Sequence, residues 1–235
     1  MPLPFFYTEE ITTGSDQLVL NEETSKHVVQ VLRMQMGDQL KLTDGKGNVF
    51  TAAIIDDHKK KCAVTIRSKE FQQQAHRKIT IGISLIKNAS RFEWFLEKAT
   101  EIGVTEIIPL ICERTEKQHF RSDRMKSILV SAMLQSQQCW LPVLGEPLAL
   151  NKLIETSHYD QKFIAHCMDD QKRNLSDLTN ENLSTQIILI GPEGDFTESE
   201  IKMAVQHHFI PVVLGNTRLR TETAGIVAAT LLCNI

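Results

Sequence analysis

The sequence predicts an α/β protein in which a parallel-sheet domain follows a small β-rich domain. Over residues 1–70, short alternating apolar runs are separated by turn residues, and one stretch has helical spacing. Residues 71–78 are polar and rich in glutamine, as expected of a linker. Over residues 79–235, strand-like apolar runs alternate with amphipathic helical stretches. This alternation is typical of a parallel sheet with both faces covered.

The first domain is predicted to hold one hairpin, two further strands and one helix. The segment "QLKLTDGKGNVFTAAII" alternates around a turn that contains Gly45 and Gly47, which is a strong hairpin signal. The flanking strands are "DQLVL" and "CAVTIRSK". Val28, Val31 and Leu32 have helical spacing in "SKHVVQVLRM", so we expect a helix that buries them. Together these elements form a small barrel or sandwich.

The second domain is predicted to begin with the strand "ITIGISLI". Ser90-x-x-Glu93 is a capping-box pattern, which predicts the start of a helix that ends at Gly103. The remaining predicted elements are the strand "VTEIIPLI", a helix over 122–137, the strands "KFIAHC" and "IILI", a helix opened by Thr197-x-x-Glu200, the strand "IPVVLG" and the apolar helix "TETAGIVAATLLCN". Strands separated by helices of this length predict parallel pairing.

Composition and charge narrow the class of protein. The 235 residues are 42% hydrophobic and carry 26 basic and 29 acidic side chains, for a net charge of −3. An RNA partner would therefore have to be met by a local basic patch. The five cysteines never form C-x-x-C, which argues against a disulfide framework and against a zinc site. Neither a signal-peptide pattern nor an apolar run of about 18 residues is found, so the cytoplasm is the expected location.

The tetrapeptide Gly191-Pro192-Glu193-Gly194 stands between the strand "IILI" and the next helix. Ligands of open parallel sheets bind beyond the carboxyl ends of the strands. The two glycines are expected to adopt positive φ and to let a ligand approach the backbone, while Pro192 fixes the entry to the turn. A ligand-binding loop and a plain strand-to-helix connection both fit the tetrapeptide. In either case the carboxylate between proline and glycine needs an explanation.

A second polar loop, "NTRLRTETAG", follows the strand that ends at Gly215. Thr221 is a plausible N-cap of the last helix, and Glu222 suits the positive end of the helix dipole. Arg218 and Arg220 have no such explanation, because they place positive charge near a helix end that is already positive. A charge pair with Glu222 or an anionic ligand would account for them.

Familiar nucleotide signatures are missing from both loops. The chain contains no G-x-G-x-x-G after a strand, no G-x-x-x-x-G-K-[ST] and no G-x-S-x-G. Two glycine-containing loops at strand ends, without a phosphate cradle, suit a ligand that lacks phosphates. S-adenosylmethionine is one such ligand.

Both loops, "IGPEGDFTESE" and "LGNTRLRTETA", resemble those of the bacterial small-subunit ribosomal RNA uracil-N3 methyltransferases, a family of the SPOUT superfamily. "HVVQVLRMQMGDQLKLTDGKGN" is similar to the PUA-like RNA-binding domain of that family, and "SLIKNASRFEWFLEKATEIGVTEIIPLICERT" to the start of its methyltransferase domain. Gln135-Ser136 and Pro142 fall where its central motif does. The resemblance implies a C-terminal trefoil knot, a rare exception among protein folds. It also implies a homodimer through the C-terminal domain.

The resemblance implies that backbone groups of the knot loops hold S-adenosylmethionine, and that Glu193 holds the loops or contacts the ligand. The residues implied for cofactor binding are Ile190, Gly191, Pro192, Glu193, Gly194, Leu214, Gly215, Leu219, Thr223 and Ala224. Methyl transfer to uracil N3 requires that this nitrogen lose its proton and that negative charge on the carbonyl oxygens be stabilised. Arg220 is the candidate for that stabilisation or for a phosphate contact, and Glu222 for orienting or accepting the proton. The sulfonium supplies the electrophile, so no metal is expected.

The implied partner is 16S ribosomal RNA in the small ribosomal subunit. Lys26 and Arg33 are seven positions apart, so on one helix they would share a face, and with Arg218 they form the candidate RNA patch. An ordinary solvated helix face is the competing interpretation for Lys26 and Arg33. Two other functions stay open: ribose 2′-O methylation of another RNA by the same superfamily, and a non-catalytic RNA-binding assembly factor.

The chain departs from the family pattern at a few positions. Asp195 replaces a glycine that is common after "GPEG", and this should restrict the turn. Thr217-Arg218 stands where the family usually has arginine followed by an aliphatic residue. Leu134 and Gln138 replace a glutamate and an arginine around "QS". These departures concern the RNA contacts of the cleft more than the cofactor site.

Overall fold

The computed structural model describes residues 3–9, 16–116, 119–168, 171–178 and 183–233. The chain folds into two compact units, which comprise Met1–Gln74 with Met133–Leu141, and Ala75–Ala132 with Pro142–Ile235. The segment 133–141 groups with the first unit, whereas the boundaries predicted from the sequence place it in the second domain. No helix formed by the described residues is long and apolar enough to cross a membrane.

The first unit is a five-stranded sheet with a short helix. Its elements are β1 (Phe5–Tyr7), β2 (Gln17–Val19), α1 (Glu22–Lys26), a π-helical turn (His27–Val31), β3 (Gln39–Thr43), β4 (Asn48–Asp56) and β5 (Ala63–Phe71). The strand order is β1-β3-β4-β5-β2, with β1 parallel to β3 and the other pairs antiparallel. The predicted hairpin is β3–β4, and both turn glycines, Gly45 and Gly47, have positive φ. Alternate residues of β3 are buried, so the predicted half-buried β pattern is confirmed.

The helix predicted around Val28 buries only one of the three residues expected to be buried. Val28 is fully buried, but Val31 is 68% exposed and Leu32 is 42% exposed. The cause is the π-helical turn after α1, whose wider hydrogen-bond spacing rotates the following side chains away from the buried face. Arg33 then leaves the helix with φ 56°. The prediction that Lys26 and Arg33 share one helix face is therefore wrong, although both residues are exposed.

The second unit is a parallel sheet with helices, as predicted, but it has eight strands where five were predicted. Its elements are β6 (Lys78–Ser84), α2 (Ala89–Ile102), β7 (Glu106–Ile111), α3 (Ser122–Gln135, whose last turn belongs to the first unit), β8 (Val143–Leu144), β9 (Leu148–Ala149), α4 (Leu150–Thr156), β10 (Gln161–Ala165), β11 (Arg173–Asn174), a 3-10 turn (Leu175–Asp177), β12 (Thr185–Ile190), α5 (Glu198–Gln206), β13 (Ile210–Val213) and α6 (Thr221–Cys233). Asn234, predicted at the end of the last helix, lies outside the described residues.

The strand order of this sheet brings particular loops together. It runs β11-β13-β10-β12-β6-β7-β8, with β9 also beside β7, and the pairs are parallel. The carboxyl ends of β13, β10, β12 and β6 therefore lie side by side along one edge. The last helix, α6, packs against α2 and β6.

Two of the helix boundaries test the capping patterns. The first helix of this unit begins at Ala89, because Asn88 is its N-cap and its side chain accepts from Ser90 N; the predicted Ser90–Glu93 capping box is therefore wrong. The capping box of α5 is confirmed, since Thr197 accepts from Glu200 N and the Glu200 carboxylate accepts from Thr197 N at 2.8 Å.

Candidate functional site

A cleft of about 760 Å³ opens at the carboxyl ends of β10, β12 and β13, beside the start of α6. It lies where open parallel sheets bind ligands. The residues predicted for cofactor binding that line it are Ile190, Gly191, Pro192, Glu193, Leu214, Gly215, Leu219 and Ala224. Gly194 and Thr223 are predicted for the same role but do not line it. Two loops far apart in the sequence thus form one cavity.

The glycines of the first loop do not have the positive φ angles that were predicted for them. The glycines with positive φ in the described chain include Gly215, at 153°, but neither Gly191 nor Gly194, so the predicted left-handed turn is wrong. A Cβ on Gly191 would lie 3.1 Å from the ring of the buried Phe196 and 3.2 Å from its amide nitrogen. Gly191 is required for this close packing. A Cβ on Gly194 would meet only an arginine side chain at 3.4 Å, an ordinary contact.

The carboxylate of Glu193 connects the loop after β12 to the loop after β6. Its Oε1 accepts a hydrogen bond from the backbone N–H of Lys87, in the loop after β6, at 3.0 Å. The Lys87 ammonium itself binds Glu116 at 2.7 Å, and this hydrogen bond raises the pKa of Lys87. The geometry supports the predicted role of Glu193 in holding the loops and explains a carboxylate between proline and glycine.

Asp195 adopts a left-handed backbone conformation at the position where the sequence resemblance implies a glycine. Its φ is 65°, in the left-handed region that aspartate tolerates better than most residues. Its N–H donates to Pro192 O at 2.9 Å. Its carboxylate accepts from the N–H groups of Phe196, at 2.9 Å, and Cys167, at 2.8 Å. The departure at this position therefore ties the loop after β12 to the end of β10.

Thr221 connects the second loop to the first. It is the first residue of α6, and its buried hydroxyl donates to the carbonyl of Gly191 at 3.0 Å. Thr221 lies inside α6 and not before it, so it is not the N-cap residue, and the predicted capping role is wrong. This hydrogen bond joins the start of α6 to the loop after β12.

The charged residues of the second loop separate into two groups. Arg218 and Arg220 are exposed and line the cleft. Glu222 is buried and does not line it. The Glu222 carboxylate faces Arg91 of α2, with 3.6 Å between Arg91 Nε and Glu222 Oε1. The predicted pairing of Glu222 with Arg218 or Arg220 is wrong, because α6 packs against α2 and turns this side chain toward it.

Several residues of the cleft were not found from the sequence. Ala165, His166 and Cys167 at the end of β10 line it, as do Lys172 and Arg91. The Lys172 ammonium donates to the carbonyls of His166, at 2.9 Å, and Met168, at 2.5 Å, and so closes the loop after β10. The strand "KFIAHC" was predicted, but its place beside β12 in the sheet was not.

The cleft has an excess of positive charge in a chain of negative net charge. Its basic residues are Arg91, Lys172, Arg218 and Arg220, and its acidic residues are Glu193 and Asp195. Both acidic groups accept backbone hydrogen bonds within the loops. The cleft therefore combines an apolar wall, which can pack against an uncharged ring, with a basic rim that can bind a polyanion.

Comparisons with known proteins agree with this geometry. Residues 73–233 match the family model of an RNA methyltransferase domain, and residues 20–67 match that of an RNA methyltransferase PUA domain. A protein of Synechocystis named ribosomal RNA small subunit methyltransferase E is 32% identical over 207 residues, which cover 86% of this chain and 68% of that protein. Its namesake from Buchnera aphidicola is 30% identical, over 98% of this chain and 92% of that protein.

Solved structures show the same fold. A probable rRNA-methyltransferase from Porphyromonas gingivalis superposes with a TM-score of 0.89 at 38% identity, covering 97% of this chain and 95% of that one. The ribosomal RNA small subunit methyltransferase E from Neisseria gonorrhoeae, bound to S-adenosylmethionine, superposes with a TM-score of 0.86 at 28% identity and the same coverage.

Proposed function

Since the chain belongs to the RNA methyltransferase family with a PUA domain, we propose that it methylates N3 of a uridine in 16S ribosomal RNA, with S-adenosylmethionine as the methyl donor. Similarity to the small subunit methyltransferases E supports the ribosomal RNA substrate. Relatives whose structures contain S-adenosylmethionine support the cofactor. The chemical position on the base, N3, rests on the sequence resemblance.

The observation that carries the proposal is that the loops after β12 and β13 line the same cleft. The Thr221–Gly191 hydrogen bond and the Glu193–Lys87 hydrogen bond fix the loops after β12 and β6 and the start of α6 against one another. A site whose walls are held by such bonds is organised before a ligand enters. Both loops were predicted for the same ligand, although neither has a phosphate-binding signature.

The cleft fits S-adenosylmethionine in its chemistry. Ile190, Leu214, Leu219 and Ala224 provide apolar surface for the adenine ring. Gly191 lines the cavity while packing closely on Phe196, and Gly215 leaves open space at the opposite loop. Main-chain groups there would hold the polar atoms of the adenosine and of the methionine moiety. When bound, the cofactor supplies a methyl group activated by its sulfonium charge.

The basic rim would serve the RNA. Arg220 and Arg218, both exposed at the cleft, are proposed to contact phosphate or the uracil carbonyl oxygens. Lys26 and Arg33 of the first unit are proposed RNA contacts as well, with Lys26 also 2.7 Å from Glu22. We propose a homodimer through the C-terminal domain and a cytoplasmic location, as expected of an enzyme acting on ribosomal subunits.

Nucleoside mass spectrometry of 16S ribosomal RNA from a deletion strain tests the proposal. The expected result is loss of one 3-methyluridine, restored by the wild-type gene but not by a Gly191→Val variant, whose side chain would collide with Phe196. Loss of a ribose 2′-O-methyl group instead would assign the chain to the other reaction. An unchanged nucleoside profile, with no heat of binding on titration with S-adenosylmethionine, would indicate a non-catalytic assembly factor.

A further inference from the structure

Arg91 and Glu222 form an ion pair in which the arginine is partly exposed at the cleft and the glutamate is buried. Arg91 stands in the first turn of α2, lines the cleft and has 41% of its side chain exposed. Glu222 stands in the first turn of α6 with 8% of its side chain exposed. The distance between Arg91 Nε and Glu222 Oε1 is 3.6 Å. One side of the guanidinium therefore faces a buried carboxylate and the other side faces the cavity.

The pairing follows from how α2 and α6 pack. Gly225 faces the ring of Phe95, since a Cβ at this position would lie 2.6 Å from the ring. Residues three or four apart share a face of a helix. Glu222 therefore lies on the same face of α6 as Gly225, and Arg91 on the same face of α2 as Phe95. The close contact of the helices holds the two charged residues opposite each other.

A buried carboxylate is costly unless a cation and hydrogen bonds compensate it. Oε2 of Glu222 is buried and has no hydrogen-bond partner within the described part of the chain. The positive end of α6 contributes some compensation. Arg91 supplies the cation, with its Nε 3.6 Å from Glu222 Oε1. The ion pair turns the guanidinium toward Glu222, and since the Arg91 side chain makes no hydrogen bond within the described part of the chain, its N–H donors stay available for another acceptor.

Resting on the proposed function, we propose that Arg91 binds a carbonyl oxygen of the target uracil and stabilises the charge that forms there, and that Glu222 is its positioning residue. In the reaction N3 gives its proton to water, and its electron pair forms a bond to the methyl carbon. The bond from that carbon to sulfur breaks, and its electrons go to sulfur. As the proton leaves, negative charge spreads over N3 and both carbonyl oxygens, where a fixed guanidinium has its largest effect.

Arg91 suits this role better than Arg220. Arg220 lies on the loop before α6 and is exposed. Arg91 is on a helix, and its direction is set by a buried partner. Groups on regular elements with supporting contacts hold a reacting geometry more closely than groups on loops. Arg220 then remains available for phosphate.

Kinetics of Arg91→Ala, Arg91→Lys and Glu222→Gln, measured across pH on small ribosomal subunits, test the inference. Arg91→Ala should lower kcat about 10²–10³-fold. Its affinity for S-adenosylmethionine by calorimetry should be unchanged, and its pH–rate profile should move to higher pH because N3 loses its proton less readily. Arg91→Lys should recover part of the rate, and Glu222→Gln should show a smaller loss with the same shift in profile. Arg124→Ala, which removes an exposed arginine bound to Glu93 of α2, is the matched control and should behave as wild type.

Unchanged kcat and pH profiles in the Arg91 variants would overturn the inference while the wild-type enzyme still methylates N3. A parallel loss of cofactor affinity and rate, with no shift in the profile, would also overturn it, because the pair would then only join α2 to α6. If wild-type protein transfers no methyl group to N3, the proposed function itself fails. The wild-type measurement thus distinguishes the two failures.

Discussion

Replacing Gly225 by alanine should destabilise the protein although it removes a glycine from a helix. A Cβ at this position would lie 2.6 Å and 2.8 Å from two ring atoms of Phe95 and 3.0 Å from Cδ1 of Ile83. Ordinary contacts between carbon atoms are about 3.5–4.0 Å, so a displacement of about 1 Å is required. Phe95 and Ile83 are fully buried, so neither side chain can move out into solvent.

Two effects of opposite sign determine the magnitude. Alanine favours a helix over glycine by about 1 kcal/mol. Forcing additional atoms into a packed core costs about 1–3 kcal/mol. The expected net change is a destabilisation of up to about 2 kcal/mol. If α6 moves instead of the ring, the 3.0 Å hydrogen bond from Thr221 to Gly191 O lengthens and Ala224 shifts in the cleft. A misplacement of about 1 Å near a reacting group can reduce turnover about 10²-fold.

Urea unfolding followed by circular dichroism, together with calorimetric titration of S-adenosylmethionine, measures both consequences. Thr230→Ala is the control, because this exposed residue of the same helix only donates its hydroxyl to the carbonyl of Ile226. Its stability should equal or slightly exceed that of the wild type. If Gly225→Ala also proves as stable as the wild type, with unchanged cofactor affinity, the contact between α2 and α6 is not the constraint argued here.

Gly191→Ala should weaken S-adenosylmethionine binding in calorimetry by about tenfold, because its Cβ would press on a buried phenylalanine ring at 3.1 Å. The control variant Gly194→Ala should bind the cofactor normally. Equal effects of the two substitutions would contradict the packing role of Gly191. Asp160→Asn should lower the urea midpoint at neutral pH, with the difference from wild type disappearing as the pH falls below the lowered pKa of the folded state. Hydrogen bonds from Thr185 hold the pKa of the Asp160 carboxyl below its ordinary 3.8. A group whose pKa is lower in the folded state than in the unfolded state stabilises the protein above the unfolded-state pKa. This stabilisation is lost as the pH falls through the folded-state pKa. Arg33→Glu should weaken RNA binding and flatten its salt dependence at unchanged cofactor affinity, while wild-type values of both would remove this residue from the RNA surface. Light scattering at micromolar concentration should give the mass of a dimer, and a monomer would refute that prediction.

The fold class could be predicted because strand and helix periods are local properties of the chain. The hairpin β3–β4 is marked by Gly45 and Gly47 at its turn, and alternate residues of β3 are buried. The π-helical turn before Leu32 could not be predicted, since it widens the hydrogen-bond spacing without any distinctive residue. One such turn was enough to expose Leu32 and to separate Arg33 from Lys26.

The candidate site was predicted where it depends on the loops and missed where it depends on strand order. Gly191 and Gly215 stand directly after apolar strands, so their neighbourhood at the carboxyl edge could be expected. The end of β10, with His166 and Cys167, lines the same cleft because β10 lies between β12 and β13. Strand order depends on how the connecting helices cross the sheet. The alternation of apolar and polar residues within a strand therefore does not predict which strands lie beside it.

Glu222 shows why proximity along the chain misleads for charged pairs. Arg218 and Arg220 are its nearest cations in sequence, but they belong to a loop that opens toward the cleft. Glu222 lies inside the first turn of a helix, so the face of that helix determines its partner. Gly225 lies about one turn later on the same face, and because it has no side chain α2 can pack closely against α6. This packing places Arg91 of α2 beside Glu222. The small residue that lets two helices approach therefore also decides which arginine the buried carboxylate holds at the cleft.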